Sequence, residues 1–327
     1  MEKKIGLVLA GGGGKGAYQI GVWKALKEFG VDKNITAVSG SSVGALNAVL
    51  FAQGDYELAE NIWLNISTED ILNFDVEKLI GVLPNILRTT PIIYFLKNHG
   101  FFSRKGLLKI LDTSINFHLI SGLDLYACCS DITKFPPSIR EVDALVHWAA
   151  GKKFGSETYF NLGNYSEDQI KTILLASSAL PVLFDSEEID GRYYYDGGLS
   201  DNAPVKPIYD SGYKIILVIQ LSRDDVLDHN QFPDAQILEI LPQDDQGRTI
   251  NGTLDFTYEG KLRRIEQGYN DAVRILKPIY EMGLTQSKIK STLHNLYRAE
   301  SVFKDKRTEI LKEREDLKTE IKNQFGV

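Results

Sequence analysis

The stretch Ile35-Thr36-Ala37-Val38, followed by Gly40-Ser41-Ser42-Val43-Gly44 and then Ala45-Leu46-Asn47-Ala48-Val49-Leu50-Phe51-Ala52, decides the reading of the fold. The first four residues form a short β-branched, apolar run, the mark of a strand, and the last eight an apolar run of helical character. A Gly-x-Ser-x-Gly between a strand and a helix is the geometry of a nucleophile elbow, in which a tight turn lifts the serine hydroxyl clear of the sheet. Gly40 and Gly44 are then required because a Cβ two residues to either side of Ser42 would collide with the neighbouring strand or helix. Ser42 would stand at a helix N-terminus, whose partial positive charge favours a developing alkoxide. The pentapeptide by itself is also compatible with an ordinary Gly/Ser turn. The strand before it and the helix after it favour the elbow.

Upstream, Ile5 to Ala10 is almost wholly apolar, as in a strand buried on both faces of a parallel sheet. The loop Gly11-Gly12-Gly13-Gly14-Lys15-Gly16 follows it, and residues 17–29 have helical spacing and end at Gly30. The order strand, glycine loop, helix, strand, elbow, helix implies two neighbouring parallel strands joined by a right-handed crossover. Further strands are expected at Leu123 to Cys129, Glu157 to Leu162, Lys214 to Leu221 and Gln236 to Leu241. Ser166 with Gln169 forms a capping box at the start of a helix. Glu187 to Tyr195 reads as a hairpin turning at Asp190-Gly191. The fold class expected is three-layer α/β with a central, mostly parallel sheet.

Between Tyr56 and about Ser121 the text is helical, interrupted at Pro84 and Pro91. Its apolar piece Pro91 to Phe102 is either plain core or a lid and lipid-contact surface. Gly260 to about Met282 is amphipathic, and from Thr285 the chain is highly charged and helical in pattern. The expected organisation is therefore a catalytic domain over 1–284 and a charged helical extension over 285–327. That extension suits docking or homo-oligomer formation better than chemistry.

The chain of 327 residues can bury a substantial core, and its 43% hydrophobic and 25% charged content is ordinary for a globular protein. A net charge of −7 argues against a broad basic surface for nucleic acid. The only two cysteines, Cys128 and Cys129, are adjacent, which excludes a disulfide framework and suits buried thiols in a reducing compartment. The apolar N-terminal run is too short for a signal peptide before its glycines, and no run reaches the ~18 apolar residues of a spanning helix. A cytoplasmic protein with at most peripheral membrane contact is expected.

Three constellations bear on chemistry. Gly11-x-Gly13-x-x-Gly16 between a strand and a helix fits a dinucleotide fingerprint, although no acidic residue ends the second strand. A P-loop is excluded, because Gly16 and not Ser or Thr follows Lys15. The other use of such a loop is to aim backbone N–H groups at an anion, here the oxyanion of acyl transfer. Lys15 would add a charge or cap nearby carbonyls. Ser42 needs a base, and His229, in the polar loop Asp224 to Asn230, is poorly placed to be a locked one. The third constellation is Asp196-Gly197-Gly198-Leu199-Ser200-Asp201-Asn202-Ala203-Pro204.

Together, Gly-Gly-Gly-x-Lys-Gly, Gly-x-Ser-x-Gly, Ala176-Ser177-Ser178-Ala179-Leu180-Pro181 and Asp-Gly-Gly-x-x-x-Asn-x-Pro resemble the patatin-like phospholipases, over roughly residues 5–222. The resemblance implies a lipid acyl hydrolase with Ser42 as nucleophile, Asp196 as general base and no catalytic histidine. It places the oxyanion hole at the N–H groups of Gly12, Gly13 and Gly14, and the substrate in the acyl-ester lipids. Gly197 and Gly198 would allow close approach to the serine, and Asn202 would fix their loop. No metal or cofactor enters this scheme. An aspartate of ordinary pKa ≈ 3.9 lies about three units below an ideal base at pH 7, so burial is expected to raise Asp196. The rival expectations are NAD(P) binding at the Gly11–Gly16 loop, a scaffold that keeps the fold without the chemistry, and an acyltransferase using the same acyl-enzyme.

Overall fold

The computed structural model describes residues 4–67, 105–137, 140–181, 183–225, 227–247 and 252–325. Their centre is an eight-stranded mixed sheet, mostly parallel in its middle and flanked by helices. The strands are β1 (Ile5–Leu9), β2 (Ile35–Ser41), β3 (Asp124–Asp131), β4 (Ser156–Asn161), β5 (Glu187–Ile189), β6 (Arg192–Asp196), β7 (Ile215–Ile219) and β8 (Gln236–Ile240). Their order is β5-β6-β3-β2-β1-β7-β8, with β4 also pairing with β3.

The pairs β1–β2, β1–β7, β2–β3 and β7–β8 are parallel, whereas β4 and β6 run antiparallel to β3 and β5 runs antiparallel to β6. The β5–β6 hairpin turns through Asp190 and Gly191, at φ 50° and 75°. Two positive φ values in succession give the turn whose twist matches paired strands, which is why Asp-Gly marks it.

The helices are α1 (Ala17–Glu28), α2 (Val43–Gln53), α3 (Tyr56–Asn65), α4 (Lys105–Ser114), α5 (Arg140–Ala149), α6 (Glu167–Ser177), α7 (Lys206–Asp210) and α8 (Tyr258–Phe325). The capping box at Ser166 and Gln169 starts α6. The helix α5 is not among the elements expected from the sequence, although its residues are amphipathic at helical spacing. Within 56–121, α3 and α4 are described, but Pro84 and the apolar piece Pro91 to Phe102 lie outside the described residues.

The central strands explain their own composition. Strand side chains alternate between faces, so an apolar residue at every position requires cover on both sides. On one face Val8, Ala37, Ile216 and Val218 pack with Val205 and Ile208 of and beside α7. Gly6 lies on that face because a Cβ there would come within 2.2 Å of Ile208 Cγ2. Leu7 and Leu9 point the other way and are also buried. Each such side chain contributes about 1.5–3 kcal/mol by leaving water.

Contacts divide the chain into two units, Met1–Ile275 and Leu276–Val327. The second consists of the later part of α8.

Candidate active site

Strand β3 joins two parts of the sequence that lie far apart. Ser41, the last residue of β2, is in register with Cys128, and Asp196, the last residue of β6, is in register with Cys129. Two adjacent rungs of one strand thus set the residue after Ser41 beside Asp196. Ser42 Oγ donates a 2.7 Å hydrogen bond to Asp196 Oδ2 across 154 residues of sequence. Ser42 is 8% exposed and Asp196 2%.

The backbone at Ser42 is strained. It has φ 55° and ψ −127° and stands as N-cap of α2. Such conformations in non-glycine residues cluster at functional sites and hold only when the surroundings fix them. Several neighbours do so here. A Cβ at Gly40 would lie 2.2 Å from the Gly44 carbonyl oxygen, and one at Gly44 2.1 Å from that of Leu9. Both glycines therefore let α2 close onto β1 and β2. The Ser42 N–H donates to Ser177 Oγ at 3.0 Å, and Ser177 Oγ–H donates to the Cys128 carbonyl at 2.6 Å. The other carboxylate oxygen of Asp196, Oδ1, accepts from the Gly198 N–H at 2.8 Å. Gly197 presses against β3, since a Cβ there would be 2.3 Å from the Cys128 oxygen.

The glycine loop lies against the elbow, and a Cβ on Gly11 would stand 3.1 Å from Ser42 Cβ. Asn202 ties this loop to the aspartate loop. Its carbonyl accepts from the Gly11 N–H at 3.0 Å, and its Nδ2 donates to the Gly11 carbonyl at 3.3 Å. Gly13–Gly16 form a 3-10 turn capped by Gly12, with Gly13 at φ 56°. The first N–H groups of such a turn have no partner within it and are free to face an anion. Over the loop, Thr253 and Asp255 approach so closely that a Cβ on Gly13 or on Gly14 would fall 2.1 Å from their carbonyl oxygens. Gly16 is pressed by Val43 and the Trp63 ring.

A buried polar network locks the loop to α2. Asn47 Nδ2 donates to the Gly16 carbonyl and to Gln19 Oε1, Gln19 Nε2 donates to the Ala10 carbonyl, and Trp63 Nε1 donates to Asn47 Oδ1. Asn47, Gln19, Trp63, the Thr253–Asp255 segment and Arg264 were not singled out by any motif. Asn47 and Gln19, polar residues on otherwise buried helices, were the available signal.

Two cavities meet at Ser42, and both also touch Gly13, Leu180 and Thr253. One, about 100 Å³, is lined almost wholly by apolar side chains, among them Leu46, Leu50, Leu111, Leu183 and Phe256. The other, about 610 Å³, is polar and is bordered by Asp196, Lys15, Lys152, Lys153, Asp224 and Asp225. Burial lowers the Lys15 pKa even though Asp225 and Asp245 pull it up, and burial raises Asp225 against the pull of Lys15. In both groups the loss of water outweighs the neighbouring opposite charge. Lys15 thus stands in the polar cavity beside acids.

None of the described histidines lines either cavity. His229 is half exposed, with its Nε2 2.7 Å from Glu239 Oε1. Both thiols are free and buried, and burial pushes both well up, further from the reactive thiolate.

A family model described as patatin-like phospholipase matches residues 7–209. Among similar proteins, lysophospholipase NTE1 of Cryptococcus neoformans var. neoformans is 23% identical over 234 residues, which are 71% of this chain and 12% of that protein. The Saccharomyces cerevisiae lysophospholipase NTE1 is 27% identical over 227 residues, 68% of this chain and 11% of that one. Patatin-like phospholipase domain-containing protein 7 of Rattus norvegicus is 25% identical, over 71% of this chain and 14% of its own. The chain therefore spans only about an eighth of the length of these relatives. Among solved structures, VipD from Legionella pneumophila aligns with TM-score 0.46 at 17% identity, over 85% of this chain and 67% of its own. The type III effector ExoU aligns with TM-score 0.40 at 22% identity, over 85% and 53%. The dinucleotide-binding expectation finds no support in any of these matches, and the loop it rested on is packed against Ser42 and the 252–255 segment.

Proposed function

The chain belongs to the patatin-like phospholipases, and from that premise we propose that it is a lipid acyl hydrolase working through a Ser42–Asp196 dyad and an acyl-enzyme. The observation that carries the reading is the 2.7 Å bond from Ser42 Oγ to Asp196 Oδ2 at the junction of an apolar and a polar cavity. An acyl-ester lipid has that two-sided chemistry. Its hydrocarbon chain suits the recess lined by Leu46, Leu111 and Phe256, and its alcohol portion suits the polar cavity.

In the proposed cycle Asp196 takes the hydroxyl proton as Ser42 Oγ bonds to the ester carbonyl carbon. The oxyanion so formed is met by N–H groups of Gly12, Gly13 and Gly14, a contribution typically worth 10²–10³ in rate per donor. Collapse breaks the ester C–O bond, and the leaving alkoxide takes the proton from Asp196. Water then attacks the acyl-serine, with Asp196 accepting its proton, and the fatty acid is released with the proton returned to Ser42. The N-terminal end of α2 stabilises negative charge on Ser42 Oγ as it attacks the ester and again as it leaves the acyl group. No described helix is long and apolar enough to cross a membrane.

Labelling by a fluorophosphonate probe, with mass-spectrometric identification of products from a mixed lipid extract, tests the proposal. The expected result is modification of Ser42 and release of free fatty acid, both lost in Ser42→Ala. Lipid turnover that survives Ser42→Ala would overturn it. Transfer of the acyl group to an added alcohol in preference to water would make the chain an acyltransferase instead.

A further inference from the structure

The unit Leu276–Val327 carries a regularity that the hydrolase reading does not use. Met282, Ile289, Leu296, Phe303, Ile310 and Leu317 recur every seven residues without exception. In α8 all six are between 56% and 68% exposed. A straight helix turns every 3.6 residues, so a row kept at intervals of seven drifts by about 20° per repeat, or about 100° over five repeats. Such a row stays on one face only when the helix supercoils around another helix. A helix lying on lipid has no use for that interval, because its apolar face needs only to follow its own turn.

The second row of the same seam, four residues after each of these, is Gln286, Leu293, Glu300, Arg307, Arg314 and Ile321. Its charges decide the occupant. Two copies side by side, parallel and in register, would set Glu300 on Glu300, Arg307 on Arg307 and Arg314 on Arg314. Two antiparallel copies crossing near residue 305 set Glu300 of each between Arg307 and Arg314 of the other. The same register puts Leu293 opposite Leu317 and Ile289 opposite Ile321, so apolar layers close both ends. The three central charged residues lie over Ile310, Phe303 and Leu296, against which their methylene stems can pack. Outside the seam, Lys304 and Lys318 already have local partners in Glu300 and Glu315. A sequence that complements itself in one direction points to a second copy of itself.

We propose that residues 289–321 of α8 pair with the same residues of a second copy as an antiparallel coiled coil. The paired length, about 33 residues or ~50 Å, exceeds the 12–15 residues below which isolated helices are marginal.

The full chain, at a concentration of tens of micromolar, is analysed by sedimentation velocity and light scattering. The expected mass is twice the 36.6 kDa of one chain. Leu296→Glu with Phe303→Glu is expected to give a monomer, while the thermal unfolding of the remainder stays unchanged because both sites are exposed. Glu300→Arg alone, and Arg307→Glu with Arg314→Glu alone, should each be monomeric, and mixing the two should restore a dimer. Direction is read from a chain carrying Leu293→Cys and Leu317→Cys under oxidation. Peptide mapping should find 293 joined to 317, a link that a separation of 24 residues along one helix forbids within one chain. A monomeric wild type would overturn the proposal, and so would a Glu300→Arg chain as dimeric as wild type. Links of 293 to 293 would overturn the antiparallel arrangement, and a monomer that binds neutral phospholipid vesicles through this helix would replace the second copy with a lipid surface. Mass is measured without substrate, so neither outcome bears on the hydrolase reading.

Discussion

Ser42 is held at φ 55° by neighbours on every side, and each of them can be tested separately. Asp196→Asn preserves shape and leaves the Gly198 N–H a carbonyl oxygen to bond, but removes the base. A positioned general base contributes typically 10²–10⁴-fold. The variant should lose kcat by that order with little change in KM, and His229→Ala should keep full activity; the reverse pattern would disprove the dyad. Ser177→Ala removes the acceptor of the Ser42 N–H and the donor to Cys128 in one step. Leaving a buried N–H unsatisfied costs about 1–3 kcal/mol, and because that N–H belongs to the elbow, both unfolding temperature and kcat should fall. Ser177→Thr retains the hydroxyl and should recover part of each. Gly197→Ala forces a Cβ to 2.3 Å from the Cys128 oxygen, a backbone atom that cannot step aside. About 1–3 kcal/mol of destabilisation is expected, read as a lowered denaturant midpoint, together with loss of the Ser42–Asp196 contact.

At the scale of elements, the segment 252–255 presses on Gly13 and Gly14, and Arg264 holds that segment. The Arg264 guanidinium, fully buried, donates to the carbonyls of Asp255 and Gln246 and pairs with Asp255 Oδ2 at 2.9 Å. Burial raises the Asp255 carboxyl, but bonds from Thr257 and the Arg264 charge outweigh it and hold the group below its ordinary 3.8. A depressed folded-state value means that the stabilisation is full above pH 3.8 and is lost as pH falls below it. Asp255→Asn should therefore be less stable than the wild type at pH 7, by about 3 kcal/mol for a broken, partly exposed pair. That gap should narrow as unfolding is followed down through pH 3.8 and below; a gap constant with pH would mean the charge does nothing. This clamp was not legible in the sequence, whereas the elbow and the glycine loop were, and the difference is one of range. A strand–turn–helix motif declares itself within ten residues through its glycines and its periodicity. The adjacency of Ser42 and Asp196 depends on two strands sharing β3, and the role of Arg264 on a contact 250 residues from the loop it supports. The antiparallel runs of β4 and β6 also arise from pairing, for their sequences read as strands without direction. Asn47 and Gln19 sit in helices whose apolar pattern was plain, but their hydrogen bonds across to the loop were not.

At the scale of the whole molecule, charge sets how a lipid surface is met. The chain carries a net charge of −7, so an anionic membrane repels it on approach. The lysines near the site do not reverse this. Lys15 is partly buried and feels the opposite charges of Asp225 and Asp245, while Lys152 and Lys153 share the cavity rim with Asp224 and Asp225. Repulsion of this kind is screened over about 10 Å at 0.1 M salt and about 30 Å at 0.01 M. If hydrolysis proceeds at the surface of a bilayer, the rate on vesicles rich in anionic lipid should fall well below that on neutral vesicles at 0.01 M salt. At 0.3 M the two rates should converge. A soluble short-chain ester, which needs no surface, should be turned over equally at both salt concentrations, separating docking from chemistry. Faster hydrolysis of anionic vesicles at low salt would mean that the Lys15, Lys152 and Lys153 side of the cavity dominates the encounter. Neutralising the rim with Lys152→Gln and Lys153→Gln would then abolish that preference, and the net charge would cease to be the quantity that governs access to the lipid.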